Sequence, residues 1–280
     1  MKNVLFIDKP SGISSFDVCF RLRKVLHTRK IGHTGTLDPL ATGVMVVLFD
    51  KATKANQFLV SDSKEYIASV KTGIVTDSLD IDGNVIREED CEMPDWEKID
   101  SVMKRFLGTS LQEVPLTSAV SVDGKRLYRY QLEGKEVELP KRNIEVSDIE
   151  LLEVADDVFT FRTRVSSGTY IRALARDILD KLNICGTVIS LRRTAVDDIR
   201  VEECDRLEDI EKGSYTAHDL LELLSKRYRT VDYPDPEVIR NGKRIKLEED
   251  ADRVLICHNN EALAIYEKDH DEYKTVRGLW

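Results

Sequence analysis

A chain of 280 residues, 41% hydrophobic and 33% charged, is long enough for one large domain with a small satellite, and its composition excludes a disordered, collagen-like or disulfide-scaffold protein. The net charge of −9 argues at first against a polyanionic partner, yet residues 1–60 hold nine Lys and Arg against four Asp and Glu, a local +5 that leaves −14 for the rest. Five scattered cysteines without a Cys-x-x-Cys pair read as reduced thiols of a cytoplasmic protein, and no apolar run reaches the length of a signal-peptide core or a membrane span.

Lys9-Pro10-Ser11-Gly12 is a turn-rich approach to a first helix over Phe16 to Leu26, for which Ser14 and Asp17 have capping-box spacing. Phe16, Cys19, Phe20 and Leu26 are expected to face inward, Arg21 and Lys24 outward. Five of the nine cations (Arg21, Arg23, Lys24, Arg29 and Lys30) fall in this stretch, either as a bed for phosphates or as a solvated helix face. The next dozen residues, Gly32-His33-Thr34-Gly35-Thr36-Leu37-Asp38-Pro39-Leu40-Ala41-Thr42-Gly43, surround one carboxylate with glycines and a proline. Glycine permits positive φ or a close backbone approach, while Pro39 fixes its own φ and keeps Asp38 out of the helical region. The stretch reads as a stiff loop leading into a buried strand, Val44 to Phe49, and Asp38 as either a turn residue or a site on a rigid scaffold.

Lys51 to Val60 is expected as a short helix, and Glu65 to Lys71 as a half-buried strand carrying Tyr66. The alternating acids of Thr76 to Gly83 lack the twelfth-position Glu of a calcium loop and read as a metal-free turn into Val85. Pro94 to Leu107 has Trp96, Ile99, Met103 and Phe106 at helical spacing before a Gly108 stop, with Trp96 expected in the core. Residues 114–143 mix cations with aromatics, in Lys125-Arg126-Leu127-Tyr128 above all, and suit either an RNA-contacting insertion or a plain hairpin. Val158 to Val165 alternates as a one-sided strand and runs into Gly168-Thr169-Tyr170-Ile171-Arg172. The helix begun there should bury Ile171, Leu174, Ala175, Ile178 and Leu182 and display Arg172 and Arg176. Leu191-Arg192-Arg193-Thr194 adds two adjacent cations. Beyond Tyr228 short strands indicate a β-rich domain at 230–280, with Pro234-Asp235-Pro236 as a linker.

The loop around Asp38, with Lys9-Pro10-Ser11-Gly12, Lys64-Glu65-Tyr66, Gly73 to Gly83, Gly124 to Tyr128, Gly168 to Arg172 and Leu191 to Thr194, resembles the tRNA pseudouridine synthases of the TruB type over about two thirds of the chain. The resemblance implies an α+β fold, with a largely antiparallel central sheet flanked by helices over 1–229 and a small β-rich, PUA-like domain over 230–280. It also implies a monomeric enzyme that isomerises uridine 55 in the T-arm stem-loop of tRNA, without cofactor or metal. By the same resemblance Asp38 is the catalytic nucleophile, Arg172 its partner, and Tyr66 the stacking aromatic and a candidate base. Tyr170 and Leu191 line the uracil pocket, and His33 contacts the RNA where the flipped nucleotide leaves the loop. Arg21, Lys24, Arg29, Lys30, Lys125 and Arg126 lie along the RNA backbone. Thr117 and Ser121 stand where the family usually has Tyr and Lys. Two rival readings are a non-catalytic RNA-binding module and a nucleotide phosphate cradle; the latter lacks the Gly-Lys-Ser/Thr ending of a P-loop.

Overall fold

The computed structural model describes residues 2–280. They divide into two compact units, one made of the chain up to Pro39 with Gly43–Val60 and Val201–Trp280, the other of Leu40–Thr42 and Ser61–Arg200. Among the described residues no helix is long and apolar enough to cross a membrane. All five cysteines are free thiols.

In the first unit, β1 (Lys2–Lys9) and β3 (Thr42–Phe49) pair antiparallel, Val4 opposite Leu48 and Lys9 opposite Gly43, and their uninterrupted apolar runs suit strands buried on two faces. Between them come α1 (Ser15–Val25) and the short β2 (Ile31–His33), which pairs with β3 so that His33 faces Val47. The expected capping box closes α1: Ser14 accepts from the Asp17 amide at 3.1 Å and Asp17 from the Ser14 amide at 2.9 Å. The inward face differs from expectation. Ser15, Val18, Cys19 and Leu22 are buried at helical spacing, which puts Phe16 and Phe20 one stripe round the helix, 63% and 61% exposed. The segment expected as a short helix after β3 is a 3-10 helix over Asp50–Phe58.

The second unit is built on β4 (Ser63–Thr72), followed by the hairpin β5 (Ile74–Thr76) and β6 (Val85–Glu88), α2 (Trp96–Lys104) and β7 (Gly108–Glu113). A second hairpin, β8 (Ser121–Val122) and β9 (Lys125–Arg126), leads to α3 (Leu127–Leu132). Then come β10 (Lys141–Ala155), β11 (Val158–Ser166), α4 (Ile171–Leu182), β12 (Gly186–Val196) and β13 (Ile199–Arg200). Its strands form one antiparallel sheet in the order β12, β4, β11, β10, β7. Alternation decides which face each residue takes: Phe159, Phe161, Thr163 and Val165 of β11 are buried while Arg162 and Arg164 point to the other side. Helix α4 packs against β12 and β4 on Leu174, Ala175, Ile178 and Leu182, as its spacing predicts. Two expectations fail here. Trp96 opens α2 and is 43% exposed, since Ile99, Val102 and Met103 already fill its inner face, and Arg172, expected on the surface, is only 3% exposed.

The chain then returns to the first unit. There β14 (Asp205–Arg206) runs parallel to β1, α5 (Leu207–Glu211) packs on α1, and β15 (Ala217–Asp219) pairs antiparallel with β1. After α6 (Leu220–Ser225), the β-rich region expected at 230–280 is a four-stranded sheet: β16 (Arg229–Asp232), followed by α7 (Pro236–Arg240), β17 (Arg253–His258), β18 (Glu261–Asp269) and β19 (Glu272–Gly278). It has its own core of Ile239, Ile245, Val254, Ile256, Tyr266 and Tyr273. Pro234-Asp235-Pro236 is not a linker but a helix start: Asp235 accepts from the Glu237 amide at 3.0 Å, and Pro236 takes the first helical position, where no amide is needed.

The turn from α4 into β12 leaves no room at Gly186, whose hypothetical Cβ would stand 2.6 Å from the Lys71 carbonyl oxygen and 3.0 Å from Leu179. Backbone cannot yield as a side chain can, so Gly186→Ala should destabilise the protein by about 1–3 kcal/mol in urea unfolding. An unchanged midpoint would show that the β4 and β12 pairing tolerates the shift.

Candidate functional site

Asp38 lies in the loop between β2 and β3, half-buried, and the backbone on both sides of it is held. On one side, the Ser15 hydroxyl donates to the Leu37 carbonyl at 2.9 Å and accepts from the Leu37 amide at 2.8 Å. On the other side, the Pro39 carbonyl accepts from the Gly12 amide at 2.9 Å and from the Lys9 ammonium at 3.2 Å. Lys9 is fully buried and also donates to the Pro10 carbonyl at 2.9 Å. Two apolar anchors flank the carboxylate, Leu37 and Leu40, both buried, and Gly43 ends the loop at φ +104°. Lys9-Pro10-Ser11-Gly12 is therefore part of the same construction as the Asp38 loop. His33 is half-buried at the end of β2, and the Thr34 amide donates to Val46 at 3.1 Å, which carries the loop out of the sheet.

In the second unit the sheet brings Tyr66 and Leu191 to one face. Tyr66 pairs with Arg193 and Thr163, and Leu191 with Ala68, so the two are diagonal neighbours on adjacent strands, 6% and 5% exposed. Tyr170 precedes α4, held by a buried amide that sequence reasoning overlooked: Gln112 accepts from the Tyr170 amide at 2.8 Å and donates to its carbonyl at 3.0 Å. The Arg142 guanidinium stands over the Tyr170 ring at 5.4 Å and donates to the Gly168 carbonyl at 3.2 Å. Arg172, the second residue of α4 and buried, donates to the carbonyls of Ser78 and, at 3.0 Å, Thr117, and its guanidinium lies 3.3 Å from Asp80. Asp80 belongs to the acidic turn that merely lacks a calcium-loop pattern. Its one visible signal is an aspartate between two apolar residues, Leu79 and Ile81, in a polar turn, and its burial at 5% exposure explains why it carries a charge partner.

Two neighbours of Tyr66 are electrostatically tuned. Burial raises the Glu65 carboxyl, but the Thr194 hydroxyl at 2.8 Å and the guanidinium groups of Arg164 and Arg200, both at 3.3 Å, outweigh it and leave Glu65 below the ordinary carboxylate range. Burial, followed by the nearby Arg193, pushes the Lys64 ammonium down to about 8; its Nζ donates to Ser167 at 3.1 Å.

The cations expected along RNA divide into two kinds. Lys24, Arg29 and Lys30 are exposed and make no ion pair among the described residues, whereas Arg21 is bound bidentately to Glu211 at 2.6 and 2.7 Å. Lys125 pairs with Glu133 at 2.5 Å and lies over the Tyr130 ring, and Arg126 donates to the Ala119 carbonyl at 2.7 Å. Arg23, in the same cationic stretch, stands over the exposed rings of Phe16 and Phe20 at 5.8 and 5.7 Å. Thr117, one of the two departures, donates to Gln131 at 2.7 Å and so ties the segment to α3.

Residues 23–171 match the description "TruB family pseudouridylate synthase (N terminal domain)". A tRNA pseudouridine synthase B of Lactobacillus acidophilus is 37% identical over 98% of this chain and 97% of its own length, and one of Bacillus cytotoxicus is 38% identical over 95% and 92%. Among solved structures, an H/ACA RNP bound to a substrate RNA containing 2'-deoxyuridine aligns with 100% of this chain and 85% of the solved one, at a TM-score of 0.72 and 24% identity. A Cbf5-Nop10-Gar1 complex aligns over the same shares at 0.71 and 24%, so both are likenesses of fold.

Asp80→Asn should leave the Arg172 charge buried with its partner weakened and lower stability by about 3–5 kcal/mol in chemical denaturation; a loss below about 1 kcal/mol would mean that other groups carry the charge. Lys64 gives a pH signature. Its folded value, about 8, lies below the ordinary 10.5, so over that interval the unfolded chain binds the extra proton and stability rises with pH. Measured against Lys64→Met, the parent should gain stability from about pH 8 to pH 10.5, and a flat difference would refute the depressed value.

Proposed function

The chain belongs to the TruB family of pseudouridylate synthases and acts as a tRNA pseudouridine synthase, and on that premise we propose that its substrate is uridine 55 in the T-arm stem-loop, attacked by Asp38. The reaction breaks the bond from ribose C1' to N1 of uracil and forms one from C1' to C5; the C5 proton leaves to solvent and the freed N1 takes one up. Atoms and electrons balance within one nucleotide, so the chemistry needs a nucleophile and a base rather than a redox partner. A carboxylate held beside C1' can add to the sugar or assist loss of the 2' proton; either route requires the uridine out of its stack.

The observation that carries this reading is the double clamp on the loop, Ser15 on Leu37 and Lys9 with Gly12 on Pro39, on either side of Asp38. A carboxylate whose two peptide neighbours are fixed does not wander, and misplacement by an ångström forfeits much of a rate. Tyr66 stacks on the flipped base and is the candidate base for C5, Leu191 and Tyr170 line the uracil, and Arg172 pairs with Asp38 as well as with Asp80. His33 meets the RNA where the nucleotide leaves the loop. Arg21, Lys24, Arg29 and Lys30 follow the phosphates on one unit, Lys125 and Arg126 on the other, and the enzyme works as a cytoplasmic monomer. In this reading residues 1–229 form the catalytic domain and 230–280 the small C-terminal one.

Asp38→Asn should lower tritium release from C5-labelled uridine in tRNA by on the order of a thousandfold or more while leaving tRNA binding within a few fold. Release at the parent rate would remove Asp38 from the chemistry. A parent protein that binds T-arm RNA with steep salt dependence yet leaves every uridine unchanged would instead be a non-catalytic RNA-binding module.

A further inference from the structure

Outside the groups assigned to the isomerisation, one cluster in the second unit gathers metal-ligand chemistry: Glu89, Cys91 and Cys185, whose ligand atoms all lie within 4.8 Å of one another. The two sulfurs are 3.7 Å apart, and the Cys91 sulfur is 3.9 Å from Oε1 of Glu89. A disulfide would need its sulfurs at about 2.05 Å. A tetrahedral ion with metal–sulfur bonds of about 2.3 Å and a metal–oxygen bond of about 2.1 Å sets its two sulfurs about 3.8 Å apart and sulfur from oxygen about 3.6 Å. The observed spacings are the edges of such a tetrahedron to within a few tenths of an ångström.

The backbone holds the ligands there. Gly73, at φ +85°, donates its amide to the Cys185 carbonyl at 3.0 Å and accepts from the Glu89 amide at 3.0 Å, so one glycine ties together the two chain segments that carry Glu89 and Cys185. A Cβ at Gly73 would come within 3.1 Å of the Glu89 carbonyl oxygen. Cys185 is buried at the start of β12, Cys91 half-buried, and Glu89 exposed. A cleft of about 480 Å³ adjoins Cys91 and Glu89 and leaves room for water at a fourth position; Glu88 and Asp90 border it with acid that favours a cation, while Asp157 is paired with Lys71 at 3.0 Å.

We propose that Glu89, Cys91 and Cys185 form a binding site for a thiophilic divalent cation of the zinc class, completed by water or an acid of the cleft. Binding forms two metal–sulfur bonds and one metal–oxygen bond and displaces the thiol protons to solvent, with no change of oxidation state. The ion would fasten the β5 and β6 hairpin to the start of β12, a structural role separate from the isomerisation.

The test uses the full chain, stripped with a chelator and kept in a phosphine reductant, then titrated with cobalt(II) and afterwards with zinc. One cobalt per chain with a thiolate-to-metal charge-transfer band and the visible bands of tetrahedral cobalt, lost on zinc addition, is expected. Cys91→Ser should abolish the charge-transfer intensity or halve it, Glu89→Gln should weaken affinity by on the order of tenfold, and Cys204→Ser should change neither. Glu89 is exposed, so its variant tests the site even where Cys185→Ser fails to fold. Absence of the thiolate band in the reduced parent, or its persistence in Cys91→Ser at full strength, overturns the proposal. So does a parent that takes up no cobalt but loses two titratable thiols when exposed to peroxide, the behaviour of a redox pair.

Discussion

The interaction on which the placement of the Asp38 loop depends is a buried ammonium. Lys9 is fully buried, and taking its charge out of water is costly unless strong acceptors meet it. Two carbonyls do, those of Pro10 and Pro39, and a hydrogen bond from a charged donor contributes about 1.5–3 kcal/mol against about 1 kcal/mol for a neutral one. The Ser15 pair with Leu37 is neutral and weaker per bond, but it is reciprocal and therefore fixes direction as well as distance. Both carbonyl acceptors of Lys9 belong to prolines, residues without an amide whose φ is already set. The loop thus loses little further entropy on being clamped, and the clamp's energy goes into position.

Arg172 plays the corresponding part in the second unit, with a different balance. It joins three segments far apart in sequence, α4, the turn at Ser78 and Asp80, and the stretch at Thr117. Desolvating such a pair consumes most of the Coulomb attraction, so its net contribution to stability over a well-packed apolar replacement is small. What it supplies is specificity: a planar guanidinium with several donors accepts only one arrangement of its acceptors. The acidic turn at residues 76–83 accordingly serves as a socket for Arg172. Thr76 and Ser78 brace that socket through bonds of 2.7 and 3.0 Å to the Asp80 carbonyl.

Local pattern carried the elements whose partners lie close by or whose periodicity is strong: the capping box of α1, the alternation of β11, the apolar stripe of α4 and the three strands after residue 250. The Asp38 loop was legible as a stiff site-like loop, and the family resemblance supplied its chemistry. What local pattern could not carry were phase and long-range partners. Phe16 and Phe20 share helical spacing with Val18 and Leu22, and hydrophobicity alone does not say which stripe meets the core. Gln112 and Asp80 are ordinary polar residues in the sequence; their roles come from Tyr170 and Arg172, 58 and 92 positions away. Pro234-Asp235-Pro236 is equally good as a linker or a helix start, and only the register of Asp235 against the Glu237 amide decides.

Charge offers a last step. A chain at −9 should repel a polyanion if its charges acted as a sum, but at physiological salt the screening length is about 8 Å, so a phosphate senses the nearest side chains rather than the total. On the first unit Lys24, Arg29 and Lys30 are exposed and free of ion pairs among the described residues, with Arg23 lying over Phe16 and Phe20 beside them. Cations without internal partners release more counterion energy on meeting RNA than cations already paired, as Arg21 is with Glu211 and Lys125 with Glu133. The two exposed rings, costly to leave in water on a helix that already buries its inner face, make sense where bases or ribose can cover them. If RNA lies along this face, as proposed, the acidic excess elsewhere favours selectivity by discouraging nucleic acid from settling on other surfaces.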